Sequence, residues 1–583
     1  MSQQNADSQD ATQEYSLNQM RQSMTWLHTW SGLVLGWLLF FVFLTGTLGY
    51  FDTEIDRWMK PELPMAKTLD SSAELRANFS YETSLQSVED YARVYAAGAR
   101  CWKIAFPLDR NEPYTRMFYR AADTSIPTVT DPRAWVMFDP MTGEALPHRD
   151  TEGGQELYKM HWKLQYMSKT TGEWIVGVAT LFMLIALISG IIIHKRFFKD
   201  MFLFNRNKQN RSWLEAHKLV GVIALPFHLM ITYTGLVFLV VVYMPLMIDG
   251  FYDSKREFRA EVYDSVGKPR PARKPADLAP MVPMLQQAQA IFAEKAPNAP
   301  ISRACVRNPG DKNARVTFFT SEYGSPAHEE HSVVFNGVTG ALIAYEPAQR
   351  SVGKDLFDTL LGLHEGVFAD IGLRWLYFFS GLLGTAMIGT GLILWARKQH
   401  KKLGKNADNH RGLWWVDRLN VATIVGLPIA IGVYFLANRL LPVGLEGRAQ
   451  WEIDLLFFGW LAMLIHALLR SQTKVWFEQF AMAALLFISL PVLSAWTTER
   501  GLLTSIRHND WVFAGIDLAL LMTGIVFAWA AKWRWQNRQP YTKLPIRQED
   551  SPSSRTVVTG KSATVAAKQA AAAQAHLKQG GSI

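Results

Sequence analysis

The chain is 583 residues long, 49% of them hydrophobic and 19% charged, with 21 Trp and 33 Phe, an apolar and aromatic content above that of most soluble enzymes. Its 60 Lys and Arg against 51 Asp and Glu leave a formal charge of +9. Because the surplus is concentrated in loops beside apolar runs, it points to anionic lipid headgroups rather than nucleic acid. No GxxxxGK(S/T), HExxH or CxxCH occurs, so P-loop, zincin-type and covalent-haem chemistry are excluded.

Eight runs have the weakly charged composition and roughly 20-residue length of a membrane crossing: 25–51, 174–193, 219–248, 375–396, 419–438, 455–469, 479–498 and 511–531. The sixth is short, and the eighth carries Asp517. The first is too long and its leader too polar for a cleaved signal peptide, so it is read as retained. Basic residues crowd two connections, Lys195 to Lys218 and Arg397 to Arg418, and the tail beyond Lys532. The positive-inside rule makes all three cytoplasmic, and with them both termini. The long connections 52–173 and 249–374 then lie on the far side, the periplasm of a bacterial inner-membrane protein.

These two connections are related. WVMFDPMTGEAL (135–146) and SVVFNGVTGALI (332–343) each read as a strand entering an Asp or Asn turn that ends in Thr-Gly. LYKMH at 157–161 resembles LLGLH at 360–364, Ser189-Gly190 resembles Thr390-Gly391, and His28 with Gly32 resembles His217 with Gly221. Two copies of helix, extramembrane domain, helix follow, as in other membrane proteins with internal repeats. The predicted organisation is a tail at 1–24, repeat one at 25–196, a loop at 197–212, repeat two at 213–397, a basic loop at 398–416, four further membrane helices at 417–532 and a disordered tail at 533–583. Within repeat two, 265–283 is Pro-rich and reads as extended.

Six histidines lie in or beside the first four runs. His28, His194 and His217 fall at the cytoplasmic edge, His161 and His364 just before runs two and four, and His228 deep in run three. An imidazole inside a bilayer needs a partner, and helix bundles hold planar macrocycles between facing imidazoles. Histidines at two depths therefore allow two haem groups. Other readings stand beside this one: His194 precedes Lys195 and Arg196 as part of a basic flank, His228 follows Pro226 and can bond to a freed carbonyl, and His161 and His364 can touch a periplasmic substrate. His466, which has no repeat partner, reads as structural or of unassigned role; His148, His328, His331, His400, His410, His508 and His576 read as solvated. Cys101 and Cys305, one per long connection, read as small buried strand residues that do not pair, although an oxidising compartment would permit a disulfide.

The stretches LHTWSGLVLGWLLFFVFLTGTLGYF, EAHKLVGVIALPFHLMITYTG and LGLHEGVFADIGLRWLYFFSGLLGTAMIGTGLILWARK resemble the PepSY-associated transmembrane helix family of iron-regulated inner-membrane proteins, some of which are di-haem siderophore reductases. The resemblance covers about residues 15–400. It implies an all-α polytopic membrane protein of about eight transmembrane helices, with two periplasmic α+β PepSY-like domains inserted in the repeat and b-type haem between helices. The expected activity is a transmembrane ferric-siderophore reductase that draws electrons from quinol or a cytoplasmic reductase, no NAD or flavin motif being present.

Ligand pairing has two forms. A symmetric scheme sets His28 opposite His217 and His161 opposite His364. The other takes His228 as a ligand of the outer haem, with His161 or His364 opposite, and is preferred here because an uncompensated imidazole so deep in run three is costly. Two rival functions are a haem-free periplasmic interaction protein and a proton-coupled transporter using the histidines and Asp517.

Overall fold

A computed structural model describes residues 2–63, 79–107, 114–121, 133–194, 209–239, 253, 269–297, 299–320, 326, 330–348 and 352–537. The tail beyond 537, expected to be disordered, and most of the 197–212 loop therefore lie outside the described residues, as does the end of the third run beyond 239.

Within the described residues, all eight apolar runs fall on helices. Repeat one opens with α1 (Ser2–Val34) and α2 (Gly36–Gly49), then α3 (Asp52–Trp58). Its extramembrane part is α4 (Tyr81–Tyr95), β1 (Ala99–Ala105), β2 (Thr115–Ala121), β3 (Arg133–Phe138) and β4 (Ala145–Leu146). It closes with α5 (Gly153–Lys163) and α6 (Lys169–Ile193). Repeat two runs through α7 (Gln209–Ile223), α8 (Leu225–Phe238) and α9 (Met281–Lys295). There follow β5 (Ile301–Arg307), β6 (Arg315–Thr320), β7 (Ser332–Asn336), β8 (Leu342–Glu346), α10 (Val352–Glu365) and α11 (Ile371–Leu403). The last part comprises α12 (Arg411–Ile424), α13 (Gly426–Leu440), α14 (Arg448–Leu469), α15 (Gln472–Thr497), α16 (Leu502–Arg507) and α17 (Trp511–Gln536).

Among the described residues, six helices are long and apolar enough to cross a membrane, and eight if each of two bent pairs counts as one crossing. The bends are 65° between α1 and α2 and 67° between α7 and α8. They sit at Leu35 and Ala224, which correspond in the repeat, so the kink belongs to the architecture. The short sixth run is the 22-residue α14. In its first turns Arg448 and Glu452 pair with each other and are wholly buried.

The extramembrane halves form one sheet of eight strands in the order β4-β3-β2-β1-β5-β6-β7-β8, joined at its centre by antiparallel pairing of β1 with β5. The matched turns are built alike. Asp139 Oδ1 accepts from the amides of Met141 and Thr142 at 2.8 and 3.1 Å before Gly143 at φ +75°. Asn336 Oδ1 accepts from Val338 and Thr339 at 3.0 and 3.2 Å before Gly340 at φ +72°. Here a short side-chain acceptor closes an Asx turn, and glycine supplies the left-handed residue. The helices α4 and α9 share one core with one face of the sheet, around Leu85, Trp102, Leu285, Val306 and Phe318. Of the Pro-rich segment 265–283, read as extended, residues 265–268 lie outside the described residues, 269–280 have no regular secondary structure beyond an isolated bridge from Pro275 to Asp311, and 281–283 open α9. Cys101 lies opposite Arg307 and Cys305 opposite Lys103. The two thiols are diagonal neighbours, and both are free.

The C-terminal helices are joined to repeat one through buried polar contacts. Arg439 on α13 donates to the Trp58 carbonyl at 2.6 Å and lies 3.7 Å from its ring centroid. Trp58 Nε1 donates to Asp517 of α17 at 2.9 Å. Asp510 takes Arg57 at 3.0 Å and Arg500 at 3.3 Å. Tyr434 donates to the Gly153 carbonyl at 2.9 Å.

Candidate functional site

Two cavities lie among the helices of the repeat, of about 320 and 380 Å³, the size range of small-molecule and cofactor sites. The first is lined by His161 and His364, the second by His28, His217 and His194; Leu39 and Met183 line both and so form the wall between them.

His28 on α1 and His217 on α7 have ring centroids 6.3 Å apart and planes at 74°. The Nδ1 of His28 donates to the Ala186 carbonyl at 2.8 Å, and that of His217 to the Met387 carbonyl at 2.9 Å. Ala186 on α6 and Met387 on α11 are themselves equivalent in the repeat. At the other cavity, His161 on α5 and His364 on α10 stand 6.1 Å apart with planes at 21°. His161 Nδ1 donates to the Tyr158 carbonyl at 2.8 Å, and His364 Nδ1 meets the Thr234 hydroxyl at 3.1 Å. In all four rings these bonds engage Nδ1, which fixes the tautomer and leaves the Nε2 lone pair as the ligating atom. Burial lowers the pKa of His161 and His364, the latter to about 3 with the neighbouring imidazole adding to the effect, so both rings are neutral.

The separations have a chemical meaning. Two imidazoles bonded at about 2.0 Å to opposite sides of one metal, with a further ~1.2 Å from each nitrogen to its ring centre, place the centroids about 6.4 Å apart. Both pairs come within a few tenths of an ångström of that. No group of three or more His, Cys, Asp or Glu suited to a metal ion occurs among the described residues. A metal between either pair must therefore take its remaining ligands from outside the protein, as a macrocycle provides. The residues present fit haem.

Each ring also rests against a glycine. A Cβ at Gly190 would lie 3.2 Å from the His28 ring, at Gly391 3.2 Å from His217, at Gly46 3.4 Å from His161 and at Gly235 3.0 Å from His364. Gly46 and Gly235 escape a search for chemistry-bearing side chains. The repeat offset that carries His28 onto His217 also carries Gly46 onto Gly235, and that is the signal that finds them.

His228 stands apart from both pairs. It lines neither cavity, is 0% exposed, and donates Nε2–H to the Ser380 carbonyl at 3.2 Å while packing against Phe43 and Phe227. Its Nδ1 is buried without a partner. The geometry thus brings together the symmetric pairs and leaves His228 as an interhelical contact, against the preference for it as a haem ligand. Its repeat equivalent, Leu39, fills the wall between the cavities. His194 caps the end of α6 and lines the second cavity, as do Lys218 and Lys398.

Several histidines read as solvated are engaged: His400 Nε2 meets Asp417 at 2.8 Å, His331 Nδ1 meets the Tyr345 hydroxyl at 2.8 Å, and His148 is half-buried. His466 meets Glu478 at 3.3 Å. His328 and His576 lie outside the described residues.

Compared with known proteins, residues 25–398 match a family described as PepSY-associated TM region. No curated protein matches the chain.

Proposed function

The chain belongs to the PepSY-associated transmembrane family, and from that premise we propose that it is a di-haem b-type electron-transfer protein of the bacterial inner membrane that reduces a ferric siderophore, or a ferric chelate like it, in the periplasm. The observation that carries the reading is the pair of histidine separations, 6.3 and 6.1 Å, each beside a cavity. Haem bound there would supply one-electron chemistry at two depths.

The chain's residues do the positioning. The Ala186, Met387 and Tyr158 carbonyls and the Thr234 hydroxyl hold each imidazole in the tautomer that presents Nε2. The four glycines let the rings approach the helix backbones, and Leu39 and Met183 separate the two sites by one layer of side chains. Electrons enter from quinol or a cytoplasmic reductase. Hard oxygen donors hold Fe(III) tightly and Fe(II) much less, so one electron releases the metal without breaking the chelator.

The test begins with the reduced-minus-oxidised spectrum of protein expressed with ample haem. A Soret band, a b-type α-band and two haems per chain are expected; their absence leaves the haem-free interaction reading in possession. His161→Ala and His364→Ala should each lose one haem, His28→Ala and His217→Ala the other, and His228→Ala should keep both. Dithionite-reduced protein should be reoxidised by a ferric siderophore and far more slowly by its gallium analogue.

A further inference from the structure

The sheet has a second face that α4 and α9 do not cover. Side chains alternate across a strand, so the strand registers assign its residues. Lys103 is opposite Phe118 on β2 and Cys305 on β5; Arg116 is opposite Ala105; Arg303 is opposite Phe319; Arg307 is opposite Arg315. Among the described side chains, five basic ones, Lys103, Arg116, Arg303, Arg307 and Arg315, therefore stand on the four central strands of one face. Lys103 and Arg303 are exposed and the other three half-buried. Lys103 lies 6.0 Å from the Phe118 ring centroid and Arg303 3.9 Å from that of Phe319, so aromatic rings hold the central cations in place. Glu330 pairs with Arg303, and Glu346 on the edge strand β8 is the acidic strand residue of this face.

This face looks towards the membrane helices. Met137 and Leu146, which share it, pack with Leu63 and Tyr114. The Leu63 carbonyl accepts from Arg500, in the connection between α15 and α16. The core on the helix-covered side, by contrast, draws its residues from the α+β halves. Repeat symmetry also centres the face over the histidine site. Antiparallel strands are exchanged by a two-fold axis normal to their sheet, and the strand order is the same read outwards from β1 and β5. That axis passes beside the Lys103–Cys305 pair. The two-fold that exchanges the repeats also exchanges His161 with His364, so the basic face and the outer histidine pair lie on one line.

We propose that this basic face is the receptor surface for the chelate, and that the chelate it takes is a small polyanion. The inference rests on the proposed reductase function only for the word chelate. Size and charge choose the occupant. Four strands at about 4.8 Å spacing span roughly 14 Å, which suits one compact metal complex and is too small for a stable protein interface of ~800 Å² per partner. Clustered cations facing a low-dielectric surface concentrate anions, and a complex held here sits between the sheet and the outer histidine pair.

The probe is gallium(III) citrate, an anionic chelate that cannot be reduced, titrated calorimetrically into the full chain in zwitterionic-lipid nanodiscs. The comparator is the gallium complex of a cationic trihydroxamate. The citrate complex should bind and the cationic one should not, with affinity falling severalfold between about 50 and about 300 mM salt. Lys103→Glu and Arg307→Glu should each weaken citrate binding about tenfold, while Lys103→Arg retains it. If a reversal variant does not assemble, Lys103→Gln and Arg307→Gln carry the test. Equal binding of both complexes, no effect of the variants, or displacement of the citrate complex by anionic lipid in the nanodisc would each overturn the proposal. Binding without a Soret band would sustain this surface while refuting the reductase; haem and ferric turnover without charge-dependent binding would do the reverse.

Discussion

A histidine ring packed on a glycine is sensitive to a single methyl group. Because a Cβ at Gly235 or Gly391 would come within 3.0 or 3.2 Å of the ring beside it, Gly235→Val should cost the outer haem and Gly391→Val the inner one. A pyridine haemochromogen assay would count one haem per chain in each case, and two in either variant would refute the clearance argument. His148 is a different case. Burial, and then the charge of Lys60, push its pKa down to about 4, against an ordinary value of about 6.5. Between these values the unfolded chain binds more protons than the folded one, so His148 contributes stability that is complete above about pH 6.5 and is lost as pH falls towards 4. Melting temperatures across this window should fall less steeply in His148→Gln than in the parent. The sequence shows the four paired histidines through the repeat, but it misleads at His228. Depth in an apolar run says that an imidazole needs a partner, and the Ser380 carbonyl, 152 positions away, is a partner that no local pattern reveals.

At the scale of elements, the two bends separate cause from accompaniment. The α7–α8 kink has Pro226 just beyond it, yet its counterpart between α1 and α2 bends almost as far with Gly36 and no proline. Pro226→Ala should therefore leave haem content and melting temperature within error of the parent. Gly36→Leu should not, since its Cβ would come within 2.7 Å of Leu392 on α11. A large loss in Pro226→Ala with none in Gly36→Leu would assign the kink to proline after all. Apolar runs and turn residues are local signals, so helices and hairpins are legible in the sequence. Neither bend is, because a continuous apolar run does not record where a neighbouring helix forces it to turn. The fusion of the two extramembrane halves into one sheet is also hidden: β1 and β5 are separated by roughly 200 residues, and their pairing is settled in space.

Over the whole molecule, the C-terminal helices are joined to the first repeat by charges that have left water. Asp510 is 1% exposed at its side chain and serves Arg57 and Arg500 together. Asp510→Ala leaves both guanidiniums buried without that carboxylate, a loss of about 3–5 kcal/mol, and thermal unfolding in detergent should fall accordingly. A change within error would mean that water enters this junction. The function of these helices stays unread in the sequence because Trp58, Arg439 and Asp517 meet only after folding; there, Asp517 receives a bond from Trp58. The continuous sheet has a mechanical consequence. Its central ladder of five residue pairs ties the two halves together like a crossbeam across two posts. A transporter that alternates access by rocking one repeat against the other would have to shear that beam on every cycle, whereas an electron can cross between the posts with neither of them moving.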